Sequence, residues 1–192
     1  THTDLPFQYL KEKNDSGLTS FAGLPLYIEL AVKSGLVQKT DESLITKRQG
    51  WSDSEMILSL IMLNLAGGDC ITDMDRLEQD KGPRALLQQF ACHGMKRAER
   101  RPYLKRWRKL KKRGLPSTAA VHRYLRLFHN GEEETKRVEG KALIPETNEA
   151  LKQLIEVNVA LIQAAHQHAP ITSATLDQDA TLIETHKNNA LF

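Results

Sequence analysis

Apolar residues recur through most of this chain at the three- and four-residue spacing that places side chains on one face of a helix. The spacing predicts helices over 21–34, 52–66, 69–80, 84–92, 118–129 and 145–168. The second of these has the clearest start, because Ser52 is followed three residues later by Glu55, the pattern of a capping box. Its many apolar residues predict a central core helix. Residues 38–50 are polar and contain no predicted helix.

Two of the predicted helices have well-defined apolar faces. After a natural N-cap at Ser117, the helix over 118–129 is predicted to bury Val121, Leu125 and Phe128, with a cationic face opposite. The longest helix, over 145–168, carries a stripe formed by Leu151, Leu154, Ile155, Leu161, Ile162 and Ala165. This stripe predicts that one side of the longest helix packs against the rest of the protein.

A short strand is predicted after Pro170, which ends the longest helix. Residues 171–176 are rich in Thr and apolar side chains, which suit a pleated strand. Because side chains alternate along a strand, Asp177 and Asp179 are expected to point the same way. Carboxylates at the end of a buried strand supply the hard oxygen ligands that Mg²⁺ prefers. The alternative is a solvated turn, because Asp is a common turn residue.

The composition is that of a globular protein with one good domain or two small ones. The 192 residues are 40% hydrophobic and 27% charged, which argues against a disordered chain. No apolar run reaches the length that a bilayer requires, and no signal-peptide pattern opens the chain. Cys70 and Cys92 lie far apart without ligand-like spacing, so neither a disulfide framework nor a zinc site is predicted. We expect a cytoplasmic protein.

The net charge of +3 conceals a strong local asymmetry. Residues 95–113 contain eleven Lys or Arg and one Glu, so the rest of the chain is net negative. Leu104, Trp107 and Leu110 recur at helical spacing, which predicts a basic amphipathic helix within 96–113, at least from Pro102 onward. Cations displace counterions from phosphates and aromatic rings stack on bases, so the segment predicts binding to double-stranded DNA. The candidate contacts are Lys96, Arg97, Arg100, Arg101, Lys105, Arg106, Arg108, Lys109, Lys111, Lys112 and Arg113.

The predicted helices on either side of this basic segment give the outline of a helix-turn-helix over 84–129, although the connection exceeds the usual three or four residues. Phosphate contacts carry no sequence information, so base recognition needs a second surface. The candidates for it are His122, Arg123 and Arg126. Two other interpretations of the basic segment are a solvated charged surface and a helix that binds acidic membranes or calmodulin-like partners.

Segments in order along nearly the whole chain resemble DDE transposases of bacterial insertion sequences. Near the end these are Leu176-Asp-Gln-Asp179-Ala-Thr181, then Glu184-Thr-His186-Lys and Asn-Ala-Leu-Phe192. The upstream segments are GLTSFAGLP at 17–25, DMDRL at 73–77, LPST at 115–118, VHRYL at 121–125, RVEGK at 137–141 and IP at 144–145. Families of this kind have an RNase H-like core in which two Asp and one Glu bind two metal ions.

The resemblance implies a catalytic residue and a cofactor. By its position in the Asp-x-Thr pattern, Asp179 corresponds to the first Asp of the triad, as a ligand of Mg²⁺ or Mn²⁺, with Asp177 as a neighbouring candidate ligand. The other two acids have no counterpart here, because the residues stop thirteen positions after Asp179. These residues alone are therefore expected to be catalytically inert.

The expected fold class is mostly α. A helical DNA-binding region over 1–130 precedes a charged linker over 131–144. Residues 145–192 are expected to supply the long helix and the first strand of a truncated RNase H-like α/β catalytic domain.

The function implied by the resemblance is that of a transposase, which binds element ends and cuts and rejoins DNA by two-metal phosphoryl transfer. Its partners are then the terminal inverted repeats and target DNA, with a homodimer expected for the full-length protein in the bacterial nucleoid. The alternative is a non-enzymatic DNA-binding module, or a truncated transposase that regulates by competing for element ends. A third possibility is a helical interaction protein that uses its basic helix on acidic protein or lipid.

Overall fold

The computed structural model describes residues 19–44, 46, 50–92, 95–110, 113–138, 143, 145–173 and 175. These residues contain no strand, and most of them are helical, as predicted. The helices are α1 (Leu24–Lys33), α2 (Leu36–Ser43), α3 (Asp53–Leu65), α4 (Met74–Gln79), α5 (Lys81–Ala91), α6 (Arg97–Leu110), α7 (Thr118–Leu125), α8 (Gly131–Glu134) and α9 (Glu149–His168). Two 3-10 turns, Ile71–Asp73 and Arg126–Phe128, precede α4 and follow α7.

The predicted strand after Pro170 is described only in part. Residues 171–173 and 175 are irregular, whereas Asp177 and Asp179 lie outside the described residues.

Helix α2 occupies much of the polar stretch that was predicted to contain no helix, so that prediction was wrong for 38–43. Gly35 has a φ of 79°, a left-handed conformation that lets α1 end and the chain restart at once. Thr40 is fully buried, and α2 packs against α3 and α9. Contacts with neighbours therefore stabilise a helix whose own apolar content is too small to reveal it.

Helix α3 is the central core helix that the sequence predicts. The Ser52 hydroxyl accepts the Glu55 N–H at 3.2 Å, and the Glu55 carboxylate accepts the Ser52 N–H at 2.8 Å, which confirms the capping box. Its buried side chains include Met56, Leu58 and Met62. The helix ends just before Gly67, whose φ of 74° marks the turn.

Helix α5 begins at Lys81, three residues before the predicted start. The Asp80 carboxylate accepts the Gly82 N–H at 2.7 Å and so caps the helix, while Pro83 falls in the first turn, where no N–H is needed. Asp80 also accepts the Thr19 hydroxyl at 2.8 Å. The apolar residues of α4 and α5 join those of α3 in one core with Leu115 and Val121.

The inner face of α7 differs from the predicted one. Val121 is buried as predicted, but Leu125 remains 39% exposed and Phe128 is half-buried on the 3-10 turn. Tyr124 takes the inner position instead, at 1% exposure, with its ring edge on Phe128 at a centroid distance of 5.2 Å. The prediction followed the i+4 neighbour of Val121, whereas the chain buries the i+3 neighbour, whose hydroxyl lies beside the Asp53 carboxylate.

Helix α9 begins at Glu149 because the Asn148 side chain accepts the Leu151 N–H at 2.9 Å. The Asn148 amide also donates to the carbonyls of Leu127 at 2.8 Å and His129 at 3.3 Å. These bonds tie the start of α9 to the end of α7, and α9 packs against α2 and the Arg126–Phe128 turn.

The predicted apolar stripe of α9 was too wide. Val157 is buried, but Ile155 and Ile162 are 49% and 60% exposed, so their predicted burial was wrong. Both follow directly after half-buried leucines, which places them about 100° further round the helix. The face of α9 that packs against neighbouring elements is therefore narrower than the predicted stripe.

Candidate nucleic-acid interface

Helix α6 has an inner edge that rests on the protein and an outer face that is cationic. Tyr103 and Leu104 are half-buried. Burial raises the pKa of Tyr103 to about 12, and the charges of Glu55 and Cys92 contribute to the rise. The inner edge of α6 therefore lies near the first turn of α3.

The outer face of α6 carries most of the predicted phosphate contacts. The helix begins at Arg97, before Pro102, and the Glu99 carboxylate accepts the Lys96 N–H at 3.1 Å at its start. The exposed candidates are Lys96, Arg97, Arg100, Arg101, Lys105 and Lys109. The structure does not describe the side chains of Arg106 and Arg108. Lys111 and Lys112 lie outside the described residues.

Two of the candidate cations make contacts within the protein. Burial raises the pKa of the Cys92 thiol, and the nearby Arg100 guanidinium, which hydrogen-bonds to it, opposes that rise. Arg113 lies with a guanidinium nitrogen 2.5 Å from the Asp75 carboxylate. These contacts give Arg100 and Arg113 a structural role beside the phosphate contacts predicted for them.

The predicted base-recognition residues lie together on the outer side of α7 and its extension. His122, Arg123 and Arg126 are all exposed, whereas Tyr124 points inward. Burial raises the pKa of Tyr124, and the neighbouring Asp53 carboxylate adds to the shift. The Glu55 and Asp53 carboxylates that influence Tyr103 and Tyr124 both belong to the first turn of α3.

The connection that leads into α7 is held by α4. The two Glu78 carboxylate oxygens each lie 3.0 Å from the Gly114 nitrogen, and one of them accepts the Leu115 N–H at 2.7 Å. Asp75, one turn earlier on α4, pairs with Arg113 and lies 3.5 Å from the Thr118 hydroxyl. The start of α7 is thus fixed by two carboxylates on one helix face.

The segment 84–129, which was predicted to have the outline of a helix-turn-helix, contains α6 and α7 and most of α5. Helices α5 and α7 share one core, but α6 fills the long connection between them, so the pair is not joined by a short turn. The sequence predicted a basic helix in this connection, and the structure places α6 there.

The acidic residues that hold this arrangement were missed at the sequence level. Asp53, Asp75 and Glu78 have no pattern that distinguishes them from solvated acids at the starts and faces of helices. Their partners lie far along the chain: those of Glu78, for example, are 36 and 37 residues away. Only the DMDRL segment that contains Asp75 carried a signal, through the transposase resemblance.

Among the described residues, no three His, Cys, Asp or Glu side chains are grouped as metal ligands. No described helix is both long and apolar enough to cross a membrane.

The described residues form a helical protein, and the densest run of positive charge in its sequence contains α6. Comparison of the chain with family models, curated proteins and solved structures found no match.

Proposed function

We propose that the chain binds duplex DNA through α6 and α7, as the front part of an insertion-sequence transposase. The observation that carries this proposal is the two-sided character of α6. Its inner edge, with the half-buried Tyr103 and Leu104, faces the protein, while four of its cations and Lys96 just before it are exposed. They are Lys96, Arg97, Arg101, Lys105 and Lys109.

The positive charge is concentrated in one part of the chain, and this determines where DNA is expected to bind. Lys and Arg that neutralise phosphates release condensed counterions, which supplies most of the affinity for DNA of any sequence. Outside 95–113 the chain is net negative, so the attraction for a duplex is concentrated in this segment. The duplex is therefore steered to α6.

Sequence preference is assigned to α7 in this proposal. Arg123 and Arg126 can each donate two hydrogen bonds to a guanine edge in the major groove, and His122 can contact a base or a phosphate. All three side chains are exposed, so they reach the duplex without disturbing Val121 or Tyr124.

The first test measures binding of the 192-residue chain to a fluorescent random-sequence duplex of about 30 base pairs. We expect the affinity to fall by about a thousandfold as salt rises from about 50 to 200 mM, as for six or more phosphate contacts. Arg101→Ala with Lys105→Ala should lower the slope of log affinity against log salt by about 2. An affinity that is indifferent to salt contradicts the proposal.

A matched control removes two cations elsewhere. Lys39→Ala with Lys152→Ala lies on α2 and α9 and has the same net charge as the α6 double variant. Its salt slope should equal that of the wild type. If both double variants lose affinity equally, net charge and not α6 governs binding.

DNA cutting and rejoining by two-metal phosphoryl transfer is the part of the proposal that rests on the resemblance alone. Asp179, with Asp177 as a candidate second ligand, would hold Mg²⁺ or Mn²⁺ and so supply Lewis-acid chemistry at phosphate. Terminal inverted repeats and target DNA would be the substrates, and a homodimer the working form. Both acids lie outside the described residues.

The second candidate function is a DNA-binding regulator without catalysis, such as a competitor for element ends. The observation that favours it is the placement of α6 and of the exposed His122, Arg123 and Arg126 before Phe128, so the proposed DNA contacts involve no metal ligand. Cleavage of a DNA end by a longer chain that continues through the remaining acids would exclude this candidate.

A further inference from the structure

Helix α4 presents two carboxylates, Asp75 and Glu78, to the segment that joins α6 to α7. We call this pair the acidic face of α4. Residues three apart on a helix lie on the same side, so the pair acts on one short stretch of chain. Glu78 accepts the N–H groups of Gly114 and Leu115, and Asp75 contacts Arg113 and the hydroxyl of Thr118, the first residue of α7.

The hydrogen bonds that Glu78 accepts are stronger than hydrogen bonds between neutral groups. Hydrogen bonds from backbone N–H groups to a carboxylate are charge-assisted and shorter than neutral ones, as the 2.7 Å bond to Leu115 illustrates. Leu115 itself is fully buried in the core with Val121. The segment is therefore fixed on one side by packing and on the other by Glu78.

We infer that Asp75 and Glu78 are positioning residues for sequence recognition: they hold α7 in the orientation that base contacts require, and they do not touch DNA. The inference rests on the proposed function. Phosphate contacts by long Lys and Arg side chains tolerate small shifts of a helix, whereas base contacts require the donor to be held to about half an ångström. Loss of the acidic face should thus reduce sequence preference far more than general affinity.

Substitution of Asp75 should raise the affinity for random duplex even though it lowers the sequence preference. Its carboxylate pairs with Arg113, a cation that otherwise adds to the basic segment. Asp75→Asn removes a negative charge and frees Arg113 for phosphate. Affinity for random duplex should therefore rise, with a salt slope steeper by about 1, while sequence preference falls.

The experiment first selects the duplex that the wild-type chain prefers from a random-sequence pool. Affinities are then measured for that duplex and for the unselected pool with Glu78→Ala, Glu78→Gln, Asp75→Asn and the charge-matched control Asp41→Asn on α2. Glu78→Ala should lose the preference by about tenfold or more and keep affinity for the pool within about threefold. Glu78→Gln retains an oxygen acceptor and should keep most of the preference, and Asp41→Asn should keep all of it.

The inference is overturned if Glu78→Ala keeps the wild-type preference, or if its affinities for the selected duplex and the pool fall by the same factor. If circular dichroism shows that Glu78→Ala is unfolded, Asp75→Asn decides alone, and a wild-type sequence preference in that variant overturns the inference. If the wild type binds the pool but selects no sequence, the inference fails and the proposed function stands; if it binds no duplex, both fail.

Discussion

At the residue scale, Gly114 lies where the segment before α7 passes closest to α5. A Cβ at this position would overlap the Arg84 Cγ and come within 2.8 Å of the Arg84 Cβ. Because the Cβ of Arg84 is fixed to its helix, the backbone must shift. We expect Gly114→Ala to lower the free energy of unfolding by about 1–3 kcal/mol in urea titrations.

The matched control for Gly114 is Gly131→Ala at the start of α8. No described atom lies within 4 Å of a Cβ built at Gly131. This variant should leave the free energy of unfolding within about 0.5 kcal/mol of the wild type. Equal losses from both variants would show that the contact with Arg84 is unimportant.

Tyr103 should make the stability of the folded protein depend on pH in the alkaline range. Its pKa is raised to about 12, mainly by burial, so the folded protein keeps the phenol protonated when the unfolded chain has begun to ionise. The stabilisation is fully present below the ordinary tyrosine pKa of about 10 and is lost as pH rises through about 12.

The measurement is an absorbance titration of tyrosinate, with unfolding followed in parallel. Tyr103→Phe should remove the tyrosine that ionises near pH 12 and flatten the loss of stability above about pH 10. Tyr27→Phe, at a half-exposed position on α1, is the control. An unchanged titration above pH 11 in Tyr103→Phe would show that burial does not raise the pKa of Tyr103.

At the scale of the element, α9 offers two valines on different faces of one helix. Val157 is 2% exposed, whereas Val159 is 45% exposed. Val157→Ala should lower the free energy of unfolding by about 2 kcal/mol, since it loses buried methyl groups and leaves a cavity. Val159→Ala should change it by less than about 0.5 kcal/mol. The reverse order would place the packed face of α9 on the wrong side.

Helix α6 shows how an element with poor internal packing is kept in place. Its composition is dominated by cations that repel one another, so its apolar edge and its contacts must hold it. Tyr103, the Arg100–Cys92 contact and the Glu99 cap supply these contacts. Of the three residues that predicted the apolar edge, Leu104 is half-buried, and the side chains of Trp107 and Leu110 are not among those described.

At the scale of the whole molecule, the proposed catalytic step can be separated from DNA binding. In a longer chain that includes the remaining two acids of the triad, Asp179→Asn should abolish DNA cleavage, because a carboxamide is a poor ligand for Mg²⁺. Affinity for element ends should be unchanged, since the proposed DNA contacts lie on α6 and α7. Wild-type cleavage by this variant would remove Asp179 from the proposed site, and Asp41→Asn serves as the charge-matched control.

The sequence by itself determined the features that depend on neighbouring residues. The starts of α3 and α7 followed from Ser52 with Glu55 and from Ser117, because capping involves residues two or three positions apart. The mostly helical fold followed from apolar spacing, and the basic segment from its composition. Such signals are local, so they survive without knowledge of the fold.

Only the tertiary structure decided which surfaces are covered and which charges are held. The polar helix α2, the narrow packed face of α9 and the burial of Tyr124 all depend on elements distant in the chain. The same is true of the acidic face of α4, whose partners lie 36 to 43 residues away. In the sequence, an Asp or Glu that binds a distant turn looks the same as one that is surrounded by water. Only the folded structure shows which of the two it is.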